Sequence, residues 1–263
     1  RKLIELVEES RQQDIDVTFD SYPYTFSSTR LSIIFPQWCQ EGGPENMKLI
    51  MSSKEGRDTL RQDMFTRGLS YDDVWLTYFK KQHNHSYEGK SVTEIAKMMG
   101  KDEIDTMCDL LLDEDLQVSY VAPGVNGTTL SQFITHPLSM VGTDALLIGD
   151  FPSPRTYGTF PTILSEYVRE EKNIKLPDAI RKMTSFPAQR LGFPDRGVLS
   201  NGKKADIVIF DPDIIKSNAS RTEPKQFPSG IDYVLVNGIL VIDDGRHTGN
   251  LPGRALRRGR VST

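Results

Sequence analysis

The chain opens on a helical pattern. Leu3, Ile4, Leu6 and Val7 share one face with Glu5, Glu8, Glu9 and Arg11 opposite, which predicts an amphipathic helix over residues 1–13. The β-branched alternation of residues 15–20 predicts a strand, and the aromatic, hydroxyl-rich residues 21–29 a loop at its end. A helix feeding such a strand is an α/β unit. Between residues 36 and 115 the pattern changes: Pro36, Gly42-Gly43-Pro44 and Gly68 punctuate it, helical periods cover roughly 54–65 and 91–112, and 75–79 reads as a strand. That length is too great for a plain loop in a compact domain, so 36–115 is expected to form an inserted lobe. Strands follow at 117–121 and 138–144, with a short helix over 130–134 between them, and helices at 162–169 and 177–184. After Leu191 the period switches to two. Residues 197–199, 205–211, 233–236 and 239–242 read as strands, punctuated by the hairpin pairs Asn201-Gly202, Asn237-Gly238 and Asp244-Gly245. The expected organisation is α/β at 1–35 and 116–192, the lobe at 36–115, and an antiparallel β unit at 193–263.

Composition narrows the function classes. With 37% hydrophobic residues among 263 the chain can bury a sizeable core, and a net charge of −4 offers no basic field for nucleic acid or an anionic membrane. No apolar run approaches the ~20 residues of a membrane helix. Cys39 and Cys108 lie far apart without a metal-ligand spacing and read as free thiols of a reducing, cytoplasmic compartment. The chain begins without methionine, directly in a helical pattern, as the latter part of a longer protein would.

Candidate chemistry centres on Met140-Val141-Gly142-Thr143-Asp144 and the proline-stiffened loop 152–161 that carries Arg155. An aspartate closing an apolar strand sits where α/β folds keep their sites, and it suits a general base or a metal ligand; a helix cap or loop salt bridge is the plain alternative. Arg155 in its loop suits bidentate grip on a carboxylate, or else pairs with Asp150 at the surface. Tyr22, Tyr24, Ser27 and Ser28 either line a polar pocket or serve packing and turns. His83-Asn84-His85 has a metal-like spacing but lies in a polar stretch of the lobe, where a solvated loop is the simpler reading. His136 precedes the Asp144 strand, and His247 lies in the β tail. Four histidines so distributed cannot by themselves build a His-rich metal site.

These segments together resemble a known family. Residues 197–211 and Val236-Asn237-Gly238 are similar to the closing β-sandwich of the amidohydrolase superfamily. Residues 17–24 (Val-Thr-Phe-Asp-Ser-Tyr-Pro-Tyr), 89–96, 142–144, 154–161 (Pro-Arg-Thr-Tyr-Gly-Thr-Phe-Pro), 179–184 and 248–254 resemble, more narrowly, the D-aminoacylases (N-acyl-D-amino-acid deacylases). The resemblance implies the C-terminal part of a (β/α)8 TIM-like barrel with an inserted lobe and a β-sandwich segment. It implies a Zn2+-dependent hydrolase that cleaves a small-molecule N-acyl-D-amino acid to a carboxylate and a free D-amino acid. Asp144 is then the general base on metal-activated water, and a possible metal ligand; Tyr22, Ser28 and Arg155 bind the substrate carboxylate. Ser153 stands where the family often has histidine. The family's metal-binding histidines and its Cys or Glu ligand would precede position 1, so a missing N-terminal segment would be needed to complete the barrel and the isolated chain would be inactive. Alternatives are a dihydropyrimidinase-type cyclic amidase, an N-acyl-D-glutamate-specific deacylase, and a non-catalytic binding protein on a degenerate barrel.

Overall fold

The computed structural model describes residues 2–258. In chain order the elements are α1 (Lys2–Gln12), β1 (Phe19–Ser21), β2 (Phe26–Arg30), α2 (Gln37–Gln40), α3 (Gly43–Ser52), α4 (Lys54–Thr66), β3 (Trp75–Tyr78), α5 (Val92–Met99), α6 (Glu103–Asp113) and β4 (Ser119–Pro123). Then come α7 (Gly127–Thr135), β5 (Ser139–Val141), α8 (Arg155–Thr162), α9 (Leu176–Met183), α10 (Ser185–Leu191), β6 (Ile207–Phe210), β7 (Ile231–Val236), β8 (Ile239–Asp243) and β9 (Arg246–His247).

Three sheets result. β1 and β5 pair in parallel, with Phe19 opposite Ser139 and Ser21 opposite Val141. β2, β4 and β3 form an antiparallel sheet with β4 in the centre. The tail sheet runs β6-β7-β8-β9, all antiparallel. The β6-β7-β8-β9 tail has the expected hairpins: Asn237-Gly238 and Asp244-Gly245 both take positive φ, as tight two-residue turns demand.

Several expectations need correction. The strand over 15–20 shrinks to β1 because Asp14 turns left-handed (φ 60°) and the Ile15 N–H donates back to Ser10 O at 3.0 Å, extending the α1 terminus. Residues 26–30 are a strand rather than a loop, since β4 supplies a partner that no local pattern announces. The helix over 91–112 is two helices: Gly100 ends α5 at φ 65°, and Asp102 caps α6 by accepting the Asp105 N–H at 2.8 Å. Residues 197–199 form no strand. Among the described residues the strands form three separate sheets, as part of a barrel would leave them unclosed, and the tail is a single antiparallel sheet.

Two hydrophobic cores organise the chain. One gathers Leu31, Phe35, Met51, Leu60, Leu76, Met107 and Leu111 between α3, α4, α6 and the inner face of the β2-β4-β3 sheet. Arg57 clamps it from the side, bonding Asp105 at 3.0 Å, Asp109 at 2.6 Å and the Met51 carbonyl at 2.6 Å. Cys39 and Cys108 lie in this core as free thiols, pushed up by burial to about 11 and about 12, which leaves them inert as nucleophiles. The second core joins Leu130, Ile134, Val141, Ile163, Tyr167, Ala179 and Ile215. Each fully buried side chain of this size contributes about 1.5–3 kcal/mol of apolar transfer.

At the N-terminal end of β5, Lys182 of α9 is buried and donates to the His136 carbonyl, to Ser139 O at 3.1 Å and to Ser139 Oγ at 2.7 Å. All three ammonium protons have acceptors. Burial, helped by the charge of Arg181, pulls its pKa down to about 8 from 10.5. Between those values the unfolded chain holds the proton and the folded chain does not, so the stability tied to this residue rises with pH across the window. Lys182→Met, which orphans those oxygens, is expected to lower stability at neutral pH by about 1–3 kcal/mol. The gap from wild type should widen as pH rises from about 8 to 10.5. Denaturant unfolding at a series of pH values measures both.

Candidate active site

β1 and β5 run in the same direction and release their chains at the same edge. There the Gly142 N–H donates to Ser21 O at 3.2 Å, and a Cβ on Gly142 would fall 2.4 Å from Asp20 Oδ2, so a larger residue there would displace the Asp20 carboxylate. Asp144 follows three residues beyond β5 rather than closing it. It is exposed and adopts a left-handed conformation (φ 44°), a state that aspartate tolerates better than most residues. The segment after it is anchored downstream: Asp150 N–H donates to Glu88 Oε2 at 3.1 Å, and the Phe151 ring lies against Gly89.

Arg155 is not in a loop. It is the first residue of α8, which continues as a π-helical turn over Ile163–Glu170, and its side chain is 3% exposed. Its Nη2 donates to Asp144 Oδ2 and to the Ser28 carbonyl, both at 2.9 Å, and its Cζ lies 4.4 Å from the centre of the Tyr22 ring. Asp150, the other sequence candidate for a partner, pairs with Lys225 at 2.8 Å instead. Asp144, Arg155, Tyr22 and Ser28 therefore meet at one place, although Ser28 touches the guanidinium through its backbone rather than its hydroxyl. The Arg155 Nε and Nη1 are buried and have no hydrogen-bond partner, and neither do the buried Ser153 Oγ and Thr156 Oγ1. An unpaired buried donor on a charged group is costly, and an anion delivered there would satisfy it.

Packing holds α8 in place. Tyr24 OH lies 3.1 Å from Thr162 Oγ1, and burial pushes the Tyr24 phenol up from its usual range. Gly158 presents bare backbone to that phenol and to Ser217. Thr159 Oγ1 donates back to the Arg155 carbonyl at 2.7 Å.

The histidines do not converge. His83 lies 2.7 Å from Asp113, His85 3.1 Å from the Phe79 carbonyl, and His136 3.3 Å from Glu8, while His247 Nδ1 accepts the Gly249 N–H at 2.9 Å. Among the described residues no group of three or more His, Cys, Asp or Glu side chains is placed to hold a metal ion. Asp144 offers one carboxylate, already in an ion pair, so these residues alone do not fit a metal centre. Sequence reasoning missed the buried Ser119 and the half-buried Arg30, and did not expect Ser153 to be buried. Strand alternation would have placed Arg30 beside Ser28 had residues 26–30 been read as a strand.

In this mixed α/β chain the carboxylate and the buried guanidinium lie at the exit of parallel strands, where such folds keep their sites. The match to the amidohydrolase family covers residues 68–242, and the chain belongs to that family, in its D-aminoacylase group. It is 36% identical over 166 residues to the N-acyl-D-aspartate deacylase of Alcaligenes xylosoxydans xylosoxydans, covering 61% of this chain and 33% of that protein. To the N-acyl-D-glutamate deacylase of the same organism it is 31% identical over 252 residues, covering 96% and 43%. Among solved structures, the N-acyl-D-glutamate deacylase from Bordetella bronchiseptica, complexed with zinc and a phosphonate inhibitor, superposes with a TM-score of 0.71 at 30% identity, covering 93% of this chain and 44% of that one. A D-aminoacylase superposes with a TM-score of 0.75 at 27% identity, covering 98% and 46%. The chain thus spans less than half the length of these relatives.

Gly158→Ala tests the seating of Arg155, because the new Cβ would lie 2.2 Å from Ser217 Oγ and 2.4 Å from Tyr24 OH. It should cost about 1–3 kcal/mol. Gly127→Ala in α7, where nothing lies within 4 Å, should instead be neutral or slightly stabilising. Thermal unfolding of the pair decides.

Proposed function

We propose that this chain carries the substrate-holding and proton-handling part of a hydrolase that cleaves the amide of N-acyl-D-amino acids, yielding a carboxylate and a free D-amino acid. The carrying observation is the Arg155 guanidinium, buried with Nε and Nη1 unpaired while Nη2 holds Asp144. One planar group thereby sets the acid against an anion site. A substrate α-carboxylate that reached these buried nitrogens would satisfy them, with Tyr22 covering the guanidinium face and Ser28 bordering it. Asp144 then takes a proton from the attacking water and returns it to the leaving amine, which departs neutral. The names of the deacylase relatives support this reaction class.

On this reading β1 and β5 are two parallel strands of a (β/α)8 barrel whose late units occupy residues 1–35 and 116–192. Residues 36–115 are an inserted lobe, consistent with a core largely their own, and 193–263 a β-sandwich segment. A metal ion, zinc in the Bordetella structure, would supply Lewis-acid activation. Because the described residues offer Asp144 alone, its ligands would come from chain that this sequence does not include. Two buried free thiols fit a cytoplasmic setting.

The test is steady-state kinetics on the intact, metal-loaded protein that carries this chain, with N-acetyl-D-methionine, its L-enantiomer and dihydrouracil. Asp144→Asn should lower kcat by about 10²–10⁴-fold with KM little changed. Arg155→Met should act chiefly on KM. Turnover of dihydrouracil, or an unchanged KM in Arg155→Met, would remove the carboxylate anchor. The 263-residue chain by itself is expected to bind no stoichiometric zinc, measured by atomic emission after dialysis.

A further inference from the structure

Residues 142–154 join β5 to α8 without helix or strand, and they carry Asp144. Backbone hydrogen bonds pin this connection at two points. At its start the Gly142 N–H donates to Ser21 O at 3.2 Å, and further on the Asp150 N–H donates to Glu88 Oε2 at 3.1 Å. Between them, among the described residues, the polar tie is the ion pair of Asp144 with Arg155. Glu88 is 5% exposed and closes the short helical turn Gln82–Tyr87. Both of its oxygens accept from backbone: Oε1 takes the Phe79 N–H at 3.3 Å, just past the end of β3, and Oε2 takes that of Asp150. Its own backbone is fixed in turn, with the Glu88 N–H on His85 O at 3.1 Å and the Gly89 N–H on Leu76 O at 2.7 Å. Packing on either side repeats the attachment. Gly149, left-handed at φ 74°, approaches β3 so closely that a Cβ would fall 3.1 Å from Thr77 O, and the Phe151 ring lies against Gly89. One buried carboxylate thus joins the end of β3 to the stretch that bears the acid.

We propose that Glu88 is a positioning residue for Asp144: by holding the Asp150 N–H it fixes the backbone from which the acid works. The inference rests on the deacylase reading above and deepens it. Asp144 holds φ 44°, a conformation that costs a non-glycine residue energy and persists only where the surroundings impose it. Its side chain is 70% exposed, so packing does not impose it. The backbone anchors on either side are left to do so, together with Arg155. A single guanidinium bond leaves the carboxylate free to swing about it, whereas a backbone held at both ends does not. The chemistry of Glu88 suits the task. A buried carboxylate is costly unless its oxygens are occupied, and here two backbone donors occupy them while, among the described residues, no cation forms an ion pair with it. A glutamine in its place has one oxygen and would turn its NH2 against the other donor. Arg155 is seated separately, through the contacts of α8 at Gly158 and Tyr24. Loosening Glu88 therefore displaces the acid and leaves the guanidinium where it is, which touches rate rather than binding.

The test is a double-mutant cycle on the intact, metal-loaded protein that carries this chain, assayed with N-acetyl-D-methionine, N-acetyl-D-aspartate and N-acetyl-D-glutamate. Glu88→Gln should lower kcat by about 10- to 100-fold on whichever of these the wild type uses, with KM changed by less than about twofold. In an Asp144→Asn background the same substitution should cost less than about twofold, since a residue that acts through Asp144 then has nothing left to align. A loss of folded protein would lower both backgrounds by the same factor. Lys225→Met removes the surface ion pair of Asp150 but leaves its N–H on Glu88, and should match the wild type. If Glu88→Gln gives no folded protein, Glu88→Asp takes its place in the cycle; it keeps both oxygens on a shorter stem and should show a smaller loss, again confined to protein that retains Asp144. Equal proportional losses in the two backgrounds, or an unchanged kcat in Glu88→Gln, overturn the role of Glu88 and leave the deacylase reading standing. A wild-type protein that hydrolyses none of the three substrates overturns the deacylase reading, and the role of Glu88 falls with it.

Discussion

The arrangement turns on one buried positive charge. A guanidinium taken out of water is a large expense unless oxygen atoms surround it, and Arg155 receives only two, from Asp144 and the Ser28 carbonyl, both through Nη2. Those two bonds tie three separate pieces of chain together: the segment after β5, the edge of β2 and the start of α8. The Tyr22 ring closes one face and adds attraction from its π-cloud. What remains unpaired is the set of buried N–H groups on Nε and Nη1. A purely structural arginine would be expected to find acceptors for them. The structure instead spends α8, the bare Gly158 contact and the Tyr24–Thr162 bond on holding an arginine that is short of partners.

Lys182 provides the internal control for that argument. It too is a buried cation beside β5, at the opposite end of the same short strand. Its three protons meet three oxygens. One cation is saturated and serves to fix the strand's N-terminal end. The other is unsaturated and lies at the end where α/β folds place their sites. On the proposed reading strand β5 has a structural end and a chemical end, and saturation of the hydrogen-bonding capacity is the physical quantity that separates them.

Local chemistry explains which parts were legible beforehand. The tail hairpins could be read because Asn-Gly and Asp-Gly reach the backbone angles the turns require, whatever surrounds them. The helices α1, α4 and α9 could be read because their apolar faces repeat at helical spacing. Strand β2 could not. Phe26-Ser27-Ser28-Thr29-Arg30 has no apolar alternation, and its extended form comes from pairing with β4, nearly a hundred residues away. The error over β2 propagated, because only a strand puts Arg30 on the face of Ser28. Arg155 was also placed in the wrong kind of backbone: Pro154 and Pro161 suggested a loop, yet Pro154 stands just before the first turn, where its missing N–H costs little, and Pro161 lies within the helix that follows. Residues 197–199 erred the other way, since two apolar residues after a glycine suffice to suggest a strand but found no partner.

The absence of a metal-ligand cluster among the described residues bears on what Asp144 can be. Its carboxylate is exposed, sits on a left-handed backbone and has one strong partner, Arg155 Nη2. A carboxylate so placed has lone pairs to spare, because a single N–H occupies one of roughly four acceptor positions. It can keep the arginine and still face a water. On the deacylase reading that combination suits a base whose position is set by the same group that would grip the substrate: displacement of the guanidinium moves both together. On the deacylase reading, this coupling makes recognition a condition of catalysis. A substrate lacking the α-carboxylate leaves Nε and Nη1 unsatisfied, and the arginine that aligns Asp144 then loses the ligand for which its burial was arranged.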